Sequence, residues 1–76
     1  KNNEVMASVE YLKKILNAEP GRAVAWLNLA DSNWMIGKKD EAIKQYVEYK
    51  DIVLAKDERS KIPSRVIKRI SKYSGN

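Results

Sequence analysis

The chain has 76 residues, with 15 Lys or Arg against 10 Asp or Glu, and therefore a net charge of +5. It contains neither Cys nor His, which excludes disulfides, thiol nucleophiles and the side chain that most often performs acid–base chemistry near neutral pH. No apolar run approaches the roughly 18 residues of a membrane span, so composition predicts one small domain without a membrane span and without a catalytic constellation.

The first segment shows a helical pattern. Its apolar residues recur at steps of four, three and four, and they define one face of a helix: Val5, Val9, Leu12 and Leu16. Pro20 disfavours helical backbone at the residue before it, so helix one is predicted at residues 4–17.

Two longer amphipathic segments follow. Helix two is predicted at 23–36, and Gly37 suits the left-handed residue that follows a helix C-terminus. The wide apolar stripe of this helix predicts neighbours on two sides. Helix three is predicted at 39–56, with two acidic residues in its first turn, where the helix dipole favours them. Three tyrosines are interpreted as packing residues: Tyr11, Tyr46 and Tyr49.

The last segment carries the whole excess of positive charge. Residues 1–60 contain ten basic and ten acidic side chains, whereas residues 61–76 contain five basic side chains and no acid. Pro63 suits the first turn of a helix, and a narrow apolar stripe with Val66 and Tyr73 follows it. Four helices with short connections and no strand signal predict an all-α fold.

The chain matches itself at a shift of 34 residues. This shift places Ser8 onto Ala42, Val9 onto Ile43, Leu12 onto Tyr46 and Ile15 onto Tyr49. The packing residues of helices one and three therefore share a register. A self-match at this period is typical of proteins built from repeated helical hairpins.

The central hairpin resembles a tetratricopeptide repeat. Five residues stand at the spacings of that family's signature, W-x2-L…G…A-x3-F/Y: Trp26, Leu29, Gly37, Ala42 and Tyr46. Pro20 matches the proline that closes a preceding repeat, whereas Ala30, Asn33 and Leu54 depart from the pattern. The resemblance implies a C-terminal piece of an α-α superhelix in a longer protein. Residues 4–17 would be the second helix of one repeat, 23–56 a complete repeat and 61–73 a basic capping helix.

The resemblance also implies a binding groove on the first helix of the repeat. We call the five residues expected there the predicted groove: Leu27, Asn28, Asp31, Trp34 and Met35. An exposed Trp beside an acid suits a peptide anchor, but Trp34 is equally suited to packing against helix one or the capping helix. Asp31 disfavours a carboxylate ligand, so the sequence favours a basic or apolar peptide.

The leading hypothesis is a non-catalytic protein–protein interaction module that needs no cofactor and no metal. One alternative is self-association, for example as a homodimer, through a bare face of helix one that contains Val5, Met6 and Val9. A second alternative is an anion-binding end that acts through basic side chains. Aromatic residues are few there, which does not favour nucleic acid. The basic candidates are Arg65, Lys68, Arg69 and Lys72.

Overall fold

The computed structural model describes residues 2–73, and within them it contains four α-helices and no strand. The all-α prediction of about four helices is confirmed. A short 3₁₀ turn at Arg59–Lys61 precedes the last helix. The helices are α1 (Asn2–Ala18), α2 (Ala23–Met35), α3 (Lys39–Ala55) and α4 (Ser64–Tyr73).

The turn between α2 and α3 depends on Gly37. Its φ of +87° lies in the left-handed region, which a glycine adopts without steric cost. The backbone N–H of Lys38 donates to the carbonyl oxygen of Asn33 at 2.9 Å, and the backbone N–H of Gly37 donates to the carbonyl oxygen of Trp34 at 3.2 Å. These bonds close the end of α2 in the way that glycine C-caps do.

The connection from α3 to α4 is longer than the other two. Asp57 takes the left-handed position after α3, with φ of +58°. Ile62 is extended, with φ −75° and ψ 118°, because the ring of Pro63 excludes helical backbone at the residue before it. The last α-helix therefore begins at Ser64, and the predicted 61–73 segment starts with turn and extended backbone.

One core cluster joins α1 to α2. It contains four buried residues, two from each helix: Val9, Leu16, Ala25 and Leu29. Trp26 packs against this cluster, and its indole N–H donates to the carbonyl oxygen of Pro20 at 2.8 Å. This bond fixes the turn that leads into α2.

A second core cluster joins α2, α3 and α4. Ala30 and Ala42 have no exposed surface, so α2 and α3 meet at two small side chains. Tyr49 lies beside them, and its hydroxyl donates to the carbonyl oxygen of Lys61 at 3.3 Å. The buried members are Ala30, Ala42, Tyr46, Tyr49, Val53 and Val66.

Two expectations about α1 are wrong. Val9 is only 4% exposed because it packs on α2, so it does not belong to a bare face. Tyr11 is 66% exposed and is not a packing residue. In the described chain α1 packs on α2 alone, whereas α3 packs on both α2 and α4.

Candidate protein-interaction surface

Asp31, on the exposed side of α2, is the centre of the contacts that hold α4. The guanidinium of Arg65 donates from Nη2 to Oδ2 at 2.6 Å and from Nε to Oδ1 at 3.1 Å. Arg69 donates from Nη1 to Oδ1 at 3.4 Å. No Cα atom of α2 lies within 8 Å of one in α4, so these long side chains bridge a gap between the two helices.

Tyr46 of α3 forms the floor of this gap. Its side chain is fully buried, and its hydroxyl donates to Oδ1 of Asp31 at 2.5 Å. Arg69 donates to the same hydroxyl oxygen at 2.5 Å. We call these four residues the Asp31 cluster: Asp31, Tyr46, Arg65 and Arg69.

The charges of the Asp31 cluster stabilise the ionised carboxylate. Burial raises the pKa of Asp31, but the hydrogen bonds from Arg65 and Tyr46 and the charges of both arginines outweigh burial. The net effect lowers the pKa of Asp31 below its ordinary value. Burial and the bond to Asp31 raise the pKa of Tyr46. The cluster therefore keeps a buried phenol and an ionised carboxylate around neutral pH.

Trp34 lies at the other end of the gap and packs against α4. The guanidinium carbon of Arg69 is 4.7 Å from the indole ring centre, and Nζ of Lys39 is 4.9 Å from it. The ring of Tyr73 meets the indole edge-on at 6.5 Å, and the Tyr73 hydroxyl donates to Asp40. Trp34 is thus half-buried between two cations and the end of α4.

The predicted groove does not form one open surface. Asp31 and Trp34 contact α4, and Leu27 packs on the core cluster that α4 completes. Asn28 remains exposed, and Met35 is 72% exposed. The helix expected to cap the fold thus covers part of the surface that was expected to receive a peptide.

The basic candidates divide into two pairs. Arg65 and Arg69 belong to the Asp31 cluster. The side chains of Lys68 and Lys72 are exposed, and within the described residues they take part in no hydrogen bond or ion pair. All four lie on one side of α4, because positions three, four and seven residues after the first share a helix face.

A second open surface lies between α1 and α2. A groove of about 950 Å³ borders both helices, and Tyr49 and Val53 of α3 and the segment after α3 also line it. A smaller hollow of about 380 Å³ adjoins it beside Ser8 and Asn28. Tyr11 and Val24 border the larger groove, and they are 66% and 65% exposed. We call this surface the α1–α2 groove.

Sequence reasoning did not identify the α1–α2 groove, although the 34-residue shift contains the signal. The shift places Ser8 onto Ala42, which is fully buried in the core cluster that includes Ala30 of α2. It also places Tyr11 onto Gln45, whose side-chain oxygen accepts a hydrogen bond from Asn33 of α2 at 2.8 Å. The face of α3 that α2 covers therefore corresponds to a face of α1 that is open.

Within residues 2–73, no group of three or more Asp or Glu side chains is placed to hold a metal ion. Among the described helices, none combines the length and the apolarity that crossing a membrane requires. Comparisons with protein-family models, with curated proteins and with solved structures find no match for this chain.

Proposed function

We propose that this chain is a non-catalytic protein–protein interaction module of the tetratricopeptide type. The observation that carries the proposal is the open face of α1. The equivalent face of α3 packs against the helix α2, which supports a helix as the occupant of the α1–α2 groove. Tyr11 and Val24 supply exposed apolar area for it, which is typical of binding surfaces.

The packing around the family's signature positions also supports this proposal. Ala42 is small where α2 approaches α3, and Tyr46 fills the space beside it without any exposed surface. Gly37 reverses the chain with a left-handed backbone. The packing of Ala42 and Tyr46 and the turn at Gly37 are what a helical hairpin repeat needs at these positions, and they support the proposal.

The proposal is tested by selecting binding peptides from a random library with the immobilised chain. We expect helical peptides whose amide-resonance footprint covers α1 and α2. The variant Ser8→Arg should abolish their binding, because a long cation blocks the closest approach to α1. The control Lys44→Arg, on the outer side of α3, should leave it unchanged. If the chain remains monomeric and the selection gives no binding peptide, the proposal is contradicted.

Self-association is the second candidate, and the exposure of Met6 and Tyr11 favours it (50% and 66%). In that case a second copy fills the α1–α2 groove. Light scattering across a range of concentrations then gives a dimer mass at high concentration, and Ser8→Arg restores the monomer. A monomer at every concentration excludes this candidate and leaves the groove free for another protein.

A further inference from the structure

We infer that the exposed face of α4 binds an acidic peptide segment, a proposal that rests on the proposed role as an interaction module. The relevant surface is the basic face of α4, which consists of Arg65, Lys68, Arg69 and Lys72. The sequence alone favoured a basic or apolar peptide, because Asp31 was expected to be free. The structure reverses that argument.

The carboxylate of Asp31 is already occupied. Oδ2 accepts from Arg65, and Oδ1 accepts from Arg65, Arg69 and the Tyr46 hydroxyl. A basic peptide would have to displace two guanidinium groups in order to reach it. Asp31 therefore organises the surface and offers little attraction to a cationic ligand.

The remaining charge of the surface is positive. The basic face of α4 has four cations, and the carboxylate of Asp31, which pairs with Arg65 and Arg69, offsets one of these charges. The Asp31 cluster and the two flanking lysines therefore have a net charge of +3. Asp40, near the end of α4, accepts from Tyr73. Asp40 and Glu41 follow Lys38 and Lys39 in the chain, so these four residues together have no net charge. Complementary charge steers and orients partners.

The unpaired lysines lie beside an apolar contact. Ile67, Lys68, Ser71 and Lys72 border a shallow hollow of about 520 Å³, and Ile67 is 48% exposed. This combination suits a partner with Asp or Glu next to an aliphatic side chain. The cations can pair with the carboxylates while Ile67 contacts the aliphatic group.

The same surface is poorly suited to nucleic acid. Binding of single strands relies on aromatic rings that are free to stack on bases. The aromatic residue of α4 is Tyr73, and its ring already meets Trp34 while its hydroxyl is bound to Asp40. A protein segment is therefore the occupant that these contacts favour.

The test is fluorescence anisotropy of the full chain with three labelled peptides of equal length. The first alternates Glu with Leu and Ser, the second has Gln in place of Glu, and the third has Lys. We expect the Glu peptide to bind most tightly and its affinity to fall as salt is raised. The variant Lys68→Gln/Lys72→Gln should weaken this binding about tenfold. Both lysines are exposed and pair with no side chain in the part of the chain that the structure describes, so the fold should be unaffected.

The matched control is Lys14→Gln/Lys44→Gln, which removes the same charge from exposed positions on α1 and α3 and should change the affinity less than about twofold. Equal losses in both double variants would overturn the inference, since net charge alone would explain them. Tighter binding of the Gln or Lys peptide overturns it as well, while the proposed function stands. Tighter binding of a single-stranded oligonucleotide with the same charge overturns the choice of a protein partner. The peptide selection described under the proposed function is independent of this anisotropy test. Only a failure of that selection contradicts the proposed function.

Discussion

Asp31 and Arg65 are 34 residues apart in the chain, yet they form a two-point ion pair with oxygen–nitrogen distances of 2.6 and 3.1 Å. The pair joins the middle of α2 to the first turn of α4, whose backbones do not touch. Since α3 packs on both helices, this contact adds a direct link between the α2–α3 hairpin and the terminal helix α4.

The coupling between these two side chains should be measurable. In a double-mutant cycle with Asp31→Asn and Arg65→Gln, we expect a coupling free energy of about 1 kcal/mol, because the pair is bidentate but its side chains are 27% and 43% exposed. Urea denaturation followed by circular dichroism gives the four free energies of unfolding. The exposed pair Lys13–Glu10 serves as the control and should show less than about 0.5 kcal/mol. Equal coupling in the two pairs would contradict a special role for Asp31.

The pH dependence of stability should report the same carboxylate. The folded chain lowers the pKa of Asp31 below its ordinary value of 3.8. Its stabilising contribution is therefore complete above pH 3.8 and is lost as pH falls through the lower folded value. The free energies of unfolding of wild type and Asp31→Asn should differ above that pH and converge below it. A constant difference across the acid range would show that Asp31 does not titrate with folding.

Val66 anchors α4 to the rest of the core. Its side chain has no exposed surface, so Val66→Ala should destabilise the chain by about 1–2 kcal/mol through lost burial and the cavity left behind. Ile67→Ala is the control, and it should change stability by no more than about 0.5 kcal/mol because Ile67 is half-exposed. Hydrogen exchange of the α4 amides checks where the loss occurs. If Val66→Ala speeds amide exchange in α1 alone, Val66 does not anchor α4.

The helices and their packing faces follow from local patterns, which is why sequence reasoning located them. Apolar periodicity decides where a helix is amphipathic. Gly37 permits the left-handed backbone that ends α2, and Pro63 restricts the residue before α4. The start of α4 was predicted three residues too early, at 61 in place of Ser64. The rule that ended helix one before Pro20 applies equally to Ile62 before Pro63, but it was not applied there.

The candidate surfaces were harder to predict. The position of Asp31 suggested an open groove, but the sequence does not reveal that Arg65 and Arg69 reach it across a gap between helices. Such a contact depends on how α4 lies on α3, which is a tertiary property. The prediction of Tyr11 as a packing residue was wrong for a similar reason, because α1 presents this side chain to solvent. The 34-residue shift places Tyr11 onto Gln45, which contacts α2, and this correspondence shows which face of α1 is open.

Asp57 holds a backbone conformation that costs free energy. Its φ of +58° is unfavourable for a residue with a Cβ atom, and it ends α3 while the N–H of Glu58 donates to the carbonyl oxygen of Val53 at 3.0 Å. Asp57→Gly should therefore raise the free energy of unfolding by about 0.5–1 kcal/mol. Asp51→Gly, at an exposed position within α3, is the control and should lower it by about 1 kcal/mol, because glycine is a poor helix former. Thermal and urea unfolding of both variants decide the matter, since only relief of the left-handed residue predicts changes of opposite sign.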